Sequence, residues 1–469
     1  MKGLILKRAA VLSAVFFLFI QITAMAAVPV KLKAVRFSSS PDKDRLVFEM
    51  SSRPDYRIMT EDGGRRVIIE LFRTRDCAAV KPAAKSRQVK TVKYDTTADG
   101  KVRITIDMTS AADYTARTLK SPERLYIDIY KNFERRKTTV PAAGIRHTVY
   151  ERRTIEGLLT AHFVEVDNRR YIVRPVLANG IVPGRATVKA MAAASKSPLA
   201  VNASYFAPDG SILGYLRLDG ITAGTTWFNR TAVGIRKDGS VLFGKLSYSA
   251  YAQLGRVQLP LAGVDCERGE NGLVVYNRWF GRTTGTNVYG KEYIVRGNIV
   301  TRTAINNSLI PADGLVVSAH GRAKEALKNV RAGERVRITE LLDACWTGVP
   351  YIIGAGPRLV AGGLVRVTAD EEEFPDDIRV GRAPRTAFGV LRNGHYLLAV
   401  VDGRQLSSIG CTLTEWAELL RREGAVEAIN FDGGGSTEMV LNGRTVNSPS
   451  DGRERPVASA LVVLPRRAA

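Results

Sequence analysis

Ala425-Val426-Glu427-Ala428-Ile429-Asn430-Phe431-Asp432-Gly433-Gly434-Gly435-Ser436-Thr437-Glu438-Met439-Val440-Leu441 is the stretch from which the rest of the chain is read. Its first five residues have the apolar character of a short buried strand. Met439-Val440-Leu441 starts another, closed by the turn pair Asn442-Gly443. Between the two runs stand a carboxylate, three successive glycines and two hydroxyls. Consecutive glycines cost conformational entropy, so they belong where backbone bends sharply or approaches a ligand, and their free N–H groups can form an anion-binding concavity. A helix is predicted just before this unit. Thr412 and Glu415 form a capping-box pair, Leu413, Trp416, Ala417 and Leu420 share one face, and Gly424 supplies the stop. The order is helix, strand, glycine loop, strand, with Asp432 at a strand's carboxyl end. A tight structural turn would use the same glycines, so the loop alone does not fix a function.

Five further motifs accompany the loop: Asn202-Ala203-Ser204-Tyr205-Phe206, Gly354-Ala355-Gly356-Pro357-Arg358-Leu359, Pro384-Arg385-Thr386-Ala387-Phe388-Gly389, Val401-Asp402-Gly403-Arg404 and Arg455-Pro456-Val457-Ala458-Ser459-Ala460. In this order, over roughly the last 300 residues, the set resembles the phosphodiester glycosidase family. Two departures stand out: Ala203 replaces the family's usual glycine, and Glu438 stands where a second serine or alanine is common. The resemblance implies a hydrolase acting on a sugar-phosphodiester.

The residue types suit that chemistry. Cleavage at the anomeric C–O bond passes through a cationic, oxocarbenium-like sugar, which a carboxylate can stabilise or trap. The departing phosphate monoester leaves readily, so cations that neutralise its charge matter more than a strong acid. Asp402 and Asp432 each follow a short hydrophobic strand and precede glycine. They would lie at the same end of a sheet if those strands are parallel neighbours, and they are the expected acid/base or nucleophilic groups. Arg385, Arg404 and Arg455 are expected to grip the phosphodiester oxygens, with Thr386 beside them. The N–H groups of Gly433, Gly434 and Gly435, with Ser436 and Thr437, would bond phosphate or sugar, while Asn202 and Asn430 would orient sugar hydroxyls. Glu438 is a further candidate. No cofactor is required by the sequence; Asp432 and Asp402 could bridge a divalent cation such as Mg²⁺ or Ca²⁺, but no spacing demands one.

At 469 residues the chain is too long for one ordinary core. Its formal charge of +23 invites a nucleic-acid partner. The excess is instead spread along every segment and interleaved with acids, which favours a general affinity for phosphate-bearing wall polymers or an anionic surface. Residues 1–27 read as an export signal: Lys2, Lys7 and Arg8 precede an apolar run from Ala9 to Ile20, and Ala24-Met25-Ala26 offers small residues for cleavage. The protein is therefore expected in the periplasm or cell envelope, touching membrane only through that signal. Cys77, Cys266, Cys345 and Cys411 have no metal-like spacing. The four histidines show no i, i+4 pair and no assembly.

Residues 28–135 contain an internal repeat. Arg45–Ser52, Asp55-Tyr56 and Arg66–Leu71 match Arg103–Ser110, Asp113-Tyr114 and Arg124–Ile129 at a constant offset of 58 residues. Two small sheets packed face to face are expected. The module resembles the AMIN domain of envelope proteins, most specifically in Ser121-Pro122-Glu123-Arg124-Leu125-Tyr126-Ile127-Asp128, and that resemblance implies contact with peptidoglycan. Residues 136–155 read as a linker, and 156–469 as the glycosidase domain. That domain is expected to be α+β with a central mixed sheet, its loops Thr222–Arg230 and Asp370–Arg382 supplying binding walls. Two functions suit such a chain: an exported hydrolase of a sugar-1-phosphodiester in an envelope or extracellular polysaccharide, or a non-catalytic glycan-binding protein acting in polysaccharide assembly.

Overall fold

The computed structural model describes residues 28–78, 81–225 and 229–466. The export signal expected at 1–27 lies outside the described residues. The chain divides into two compact units, Met1–Tyr130 and Lys131–Ala469.

In the first unit, β1 (Val30–Ser39), β2 (Lys43–Met50), β3 (Asp55–Glu61), β4 (Arg66–Phe72), β5 (Thr74–Asp76), β6 (Val89–Thr96), β7 (Val102–Met108), β8 (Tyr114–Leu119) and β9 (Arg124–Tyr130) form two sheets. Their strand orders are β5-β1-β2-β9-β8 and β3-β4-β7-β6. The 58-residue repeat maps β1–β4 onto β6–β9, so each sheet takes two strands from each copy instead of one copy per sheet. The seams are β2 against β9 and β4 against β7. Alternating apolar residues explain the closure: Leu46 and Phe48 from β2, Leu125 and Ile127 from β9, Val67 and Ile69 from β4, and Ile104 and Ile106 from β7 enter one core. The ion pairs repeat too. Arg45 pairs with Asp128 across one seam, and their repeat mates Arg103 and Glu70 pair across the other.

The second unit corrects the expected fold class. Strands make up 51% of the chain and helices 9%, so the protein is mostly β and not α+β with a central mixed sheet. The largest sheet has eight strands in the order β10 (Phe133–Ala142), β11 (Ile145–Thr154), β12 (Gly157–Val166), Tyr396–Val401, Arg385–Leu391, Ala425–Asn430, Arg358–Ala361 and Leu364–Val365. Every pairing in it is antiparallel. The stretch 136–155, read as a linker, lies in β10 and β11. A five-stranded sheet, Tyr171–Leu177, Ser459–Pro465, Leu199–Asn202, Met439–Leu441 and Arg444–Thr445, shares the main core with it. The helix Leu413–Arg422 has both capping-box bonds between Thr412 and Glu415. Its Trp416 is fully buried and stacks on Phe163 with ring centroids 5.8 Å apart. Gly424, at φ +94°, occupies the left-handed position that ends this helix.

His147 and His162 do come together, although no histidine assembly was expected. Neighbours across β11 and β12, they stack at 5.3 Å between centroids with Nε2 and Nδ1 3.1 Å apart. Burial lowers both pKa values, His162 to about 4, which keeps the pair neutral. The four cysteines are free, and Cys411 is the buried one.

Candidate active site

The sheet order explains how distant motifs converge. Tyr396–Val401 and Ala425–Asn430 both pair antiparallel with Arg385–Leu391, which lies between them. They are therefore parallel to each other, though one strand apart and not neighbours as expected, and both end where the central strand begins. Asp402, Asp432 and Arg385 accordingly meet at one edge. Asp432 N–H donates to the Ala203 carbonyl at 3.0 Å, which brings in the Leu199–Asn202 strand of the second sheet.

A cavity of about 250 Å³ opens at this edge, lined by Asp432, Arg385, Arg404, Asn430, Gly433, Gly434, Gly435 and Arg455 among the sequence-predicted residues. Asp432 is partly exposed there. Its Oδ1 accepts from Gly433 N–H at 2.9 Å, and Ser436 also bonds it. Desolvation raises its pKa to about 6 against the opposing pull of Ser436, Gly433 and Arg455. Gly433 thus serves the carboxylate. Gly434, at φ +59°, takes a backbone conformation that side chains resist.

Arg385 is 2% exposed. Its guanidinium donates to three backbone carbonyls, Cys411 at 3.3 Å, Ile378 at 2.9 Å and Gly381 at 3.1 Å. Among the described residues it has no carboxylate partner. Burial lowers its pKa, but a guanidinium stays charged. A buried cation without a counter-ion beside an open cavity favours an anion there. Arg404 lies on the exposed rim, whereas Arg455 is paired with Asp451 at 2.7 Å and reaches Ser436 Oγ at 3.4 Å. The Asn430 Oδ1 is buried with no hydrogen-bond partner among the described residues, although its Nδ2 donates to Tyr205 Oη at 3.0 Å.

Other predicted residues stand behind the cavity wall. Asn202, 1% exposed, donates to the Asp432 carbonyl at 2.6 Å and accepts from Thr386 Oγ1 at 2.7 Å and Glu438 N–H at 3.2 Å. Thr386, Ser436 and Thr437 are buried. Glu438 is buried near Glu454, with Thr445 bonded to both; burial first, then Glu454, raises its pKa to about 7. Asp402, 4% exposed, accepts from Asn447 Nδ2 at 3.1 Å and Ser448 N–H at 2.9 Å, and burial raises its pKa to about 6. No cluster of three or more potential metal ligands occurs among the described residues.

Two variants separate positioning from chemistry at Asp402. Asp402→Asn keeps the Oδ1 acceptor. Because the folded pKa is raised, ionisation costs stability as pH climbs through about 6, so this variant should melt no lower than the parent at pH 8. Asp402→Ala removes the acceptor of the buried Asn447 amide and of Ser448 N–H and should cost about 1–3 kcal/mol in denaturant titration.

Tyr205, Asp377 and Ile378 also line the cavity. Tyr205 donates to the Gly356 carbonyl at 3.0 Å, which carries the Gly354–Leu359 motif to the wall. It belongs to the Asn202–Phe206 motif, in which residue type pointed to Asn202 alone. Asp377 and Ile378 belong to the short helix Asp376–Arg379 within the loop anticipated as a wall. The companion loop Thr222–Arg230 begins as the end of the strand Ile221–Thr225.

Residues 289–464 match the phosphodiester glycosidase family and residues 34–129 the AMIN domain. N-acetylglucosamine-1-phosphodiester alpha-N-acetylglucosaminidase of Mus musculus is 49% identical over 146 residues, which is 30% of this chain and 26% of that protein. The SPbeta prophage-derived uncharacterized protein YomE of Bacillus subtilis is 39% identical over 80 residues, 17% of this chain and 12% of that one. The aligned stretches thus span about a quarter of these relatives' length or less. A hypothetical protein from Synechocystis superposes with a TM-score of 0.64, covering 94% of this chain and 81% of its own at 22% identity, a likeness of fold. The Asn202–Phe206 motif lies outside the matched residues, yet the second sheet delivers it to the same edge.

Proposed function

We propose that this chain, which carries a phosphodiester glycosidase domain behind an AMIN domain, is an exported hydrolase that cleaves a sugar-1-phosphodiester in a cell-envelope or extracellular polymer. The family match supports hydrolase activity, and AMIN domains are typical of periplasmic or secreted proteins. The single observation that carries the substrate class is the presence, on one cavity, of Asp432 and a buried Arg385 that has no acidic partner among the described residues.

In this site the phosphodiester anion lies against Arg385, with Arg404 at the rim. The Asp432 carboxylate faces the anomeric carbon and stabilises, or bonds to, the positive charge that develops there. Gly433 N–H and Ser436 fix its orientation, and Asn202 fixes its backbone. The bond that breaks is anomeric C–O; its electron pair leaves on a phosphate monoester already held by guanidinium, so no strong acid is needed. Water completes the hydrolysis.

Release of free sugar from a panel of synthetic sugar-phosphodiesters tests this function, and hydrolysis in ¹⁸O-water should place the label in the sugar. Binding without turnover would instead select a glycan-binding protein. The reaction needs ionised Asp432, so kcat/KM should rise with pH through about 6, the raised pKa, and not near 4. That limb should persist in Asp402→Asn, whose acid is buried away from the cavity.

A further inference from the structure

Among the described residues that line the catalytic cavity, two are acidic: Asp432 and Asp377. With Asp432 facing the anomeric carbon, the hydrolytic water still needs a base. A phosphate leaving group removes the need for an acid but not this one, because water gives up a proton as its oxygen bonds to carbon. A carboxylate pressed against the reacting carbon leaves no room for water between them, so a second group must take the proton.

Asp377 lies in the short helix Asp376–Arg379, which is anchored on both sides. Before it, the buried Glu372 carboxylate accepts from Thr231 N–H at 2.8 Å and Thr231 Oγ1 at 2.5 Å. Phe374, also buried, packs against Tyr205 of the cavity wall with ring centroids 5.8 Å apart. At its far end, the Ile378 and Gly381 carbonyls accept from the Arg385 guanidinium. The two adjacent acids differ in their company. Asp376 pairs with Arg379, which also holds Asp370 at 2.6 Å, whereas Asp377 is open to solvent and has no hydrogen-bond or ion-pair partner among the described residues. Its charge is felt at Asp432: desolvation is the main cause of that acid's raised pKa, and repulsion from Asp377 adds to it.

We propose that Asp377 is the general base of the hydrolysis, an assignment that rests on the hydrolase reading above. Its carboxylate takes a proton from water as the water oxygen bonds to the anomeric carbon. The electron pair of the bond that breaks at that carbon stays with the departing oxygen, of phosphate or of Asp432. Exposure then lets Asp377 pass the proton to bulk solvent and return to the carboxylate. The anchors on either side of the helix hold this exposed acid at the cavity, so its orientation is set before substrate arrives.

Steady-state kinetics of the full chain, on a sugar-phosphodiester that the parent hydrolyses, test the assignment. Asp377→Ala and Asp377→Asn should each lower kcat about 10²-fold or more. Their melting temperatures should match the parent's, because the side chain is exposed and unpaired. Sodium azide attacks carbon without needing a base, so it should raise turnover of Asp377→Ala about tenfold or more and yield a sugar azide, which a purely structural role would not give. A loss that azide leaves unrepaired would overturn the assignment. So would an active parent matched within about threefold by both variants, with the hydrolase reading left standing. A parent that cleaves no diester of the panel would overturn that reading and the base together.

Discussion

Asp432→Asn is expected to lower kcat on a sugar-phosphodiester by about 10³-fold or more, with KM changed little, because it removes charge from the one partly exposed predicted carboxylate on the cavity. The substitution is nearly isosteric. The amide oxygen still accepts from Gly433 N–H, and the contacts of the Asp432 main chain to Asn202 and Ala203 do not involve the side chain. Stability should therefore hold or rise, since a group whose folded pKa is raised loses stability as pH climbs through about 6, and the amide has no such charge to bury. A variant folded like the parent but retaining more than a tenth of its rate would remove Asp432 from the chemistry. Single-turnover kinetics with thermal melts at pH 5 and 8 give both readouts.

Arg385→Met should lower kcat/KM by about 10²- to 10³-fold, mostly by losing the grip on the phosphodiester oxygens. The guanidinium is a bridge as well as a charge. It ties the Cys411 carbonyl to those of Ile378 and Gly381, so the loop carrying Asp377 and Ile378 hangs on it. Lysine keeps the charge but cannot reach three diverging acceptors, so Arg385→Lys should recover only part of the loss. Inorganic phosphate should raise the melting temperature of the parent and not of Arg385→Met, a result independent of turnover. Equal stabilisation of both by phosphate would place the anion elsewhere.

The parts legible in the sequence were those with strong local rules. The capping box at Thr412 and Glu415, the stop at Gly424 and the 58-residue repeat each depend on residues at fixed spacing, and the structure contains them. The shared end of Asp402 and Asp432 was also legible, because both strands finish in Asp-Gly. The sheet's direction was not. Pairing partners are non-local, and nothing in Tyr396–Val401 says that Arg385–Leu391 will lie beside it in the opposite sense. Strand β10 was missed for a different reason. Residues 134–140 are all exposed, so it has no buried face and no alternation to betray it, and Arg135, Arg136 and Lys137 read as linker. At the site, residue type singled out Asp432 and Arg385, which line one cavity. Only coordinates could show that Asn202 and Asp402 turn away from the cavity to brace its wall, or that Asp377 turns toward it.

The exchange of strands between the two copies in the N-terminal unit has a consequence for how such a module can arise and be cut. Neither copy owns a sheet: β2 without β9, or β4 without β7, presents a naked ladder edge and half a core. One copy by itself is therefore a self-complementary protomer, whose natural companion is an identical chain turned about a twofold axis. The fused repeat is that dimer written on a single polypeptide, and its smallest inheritable piece is the pair.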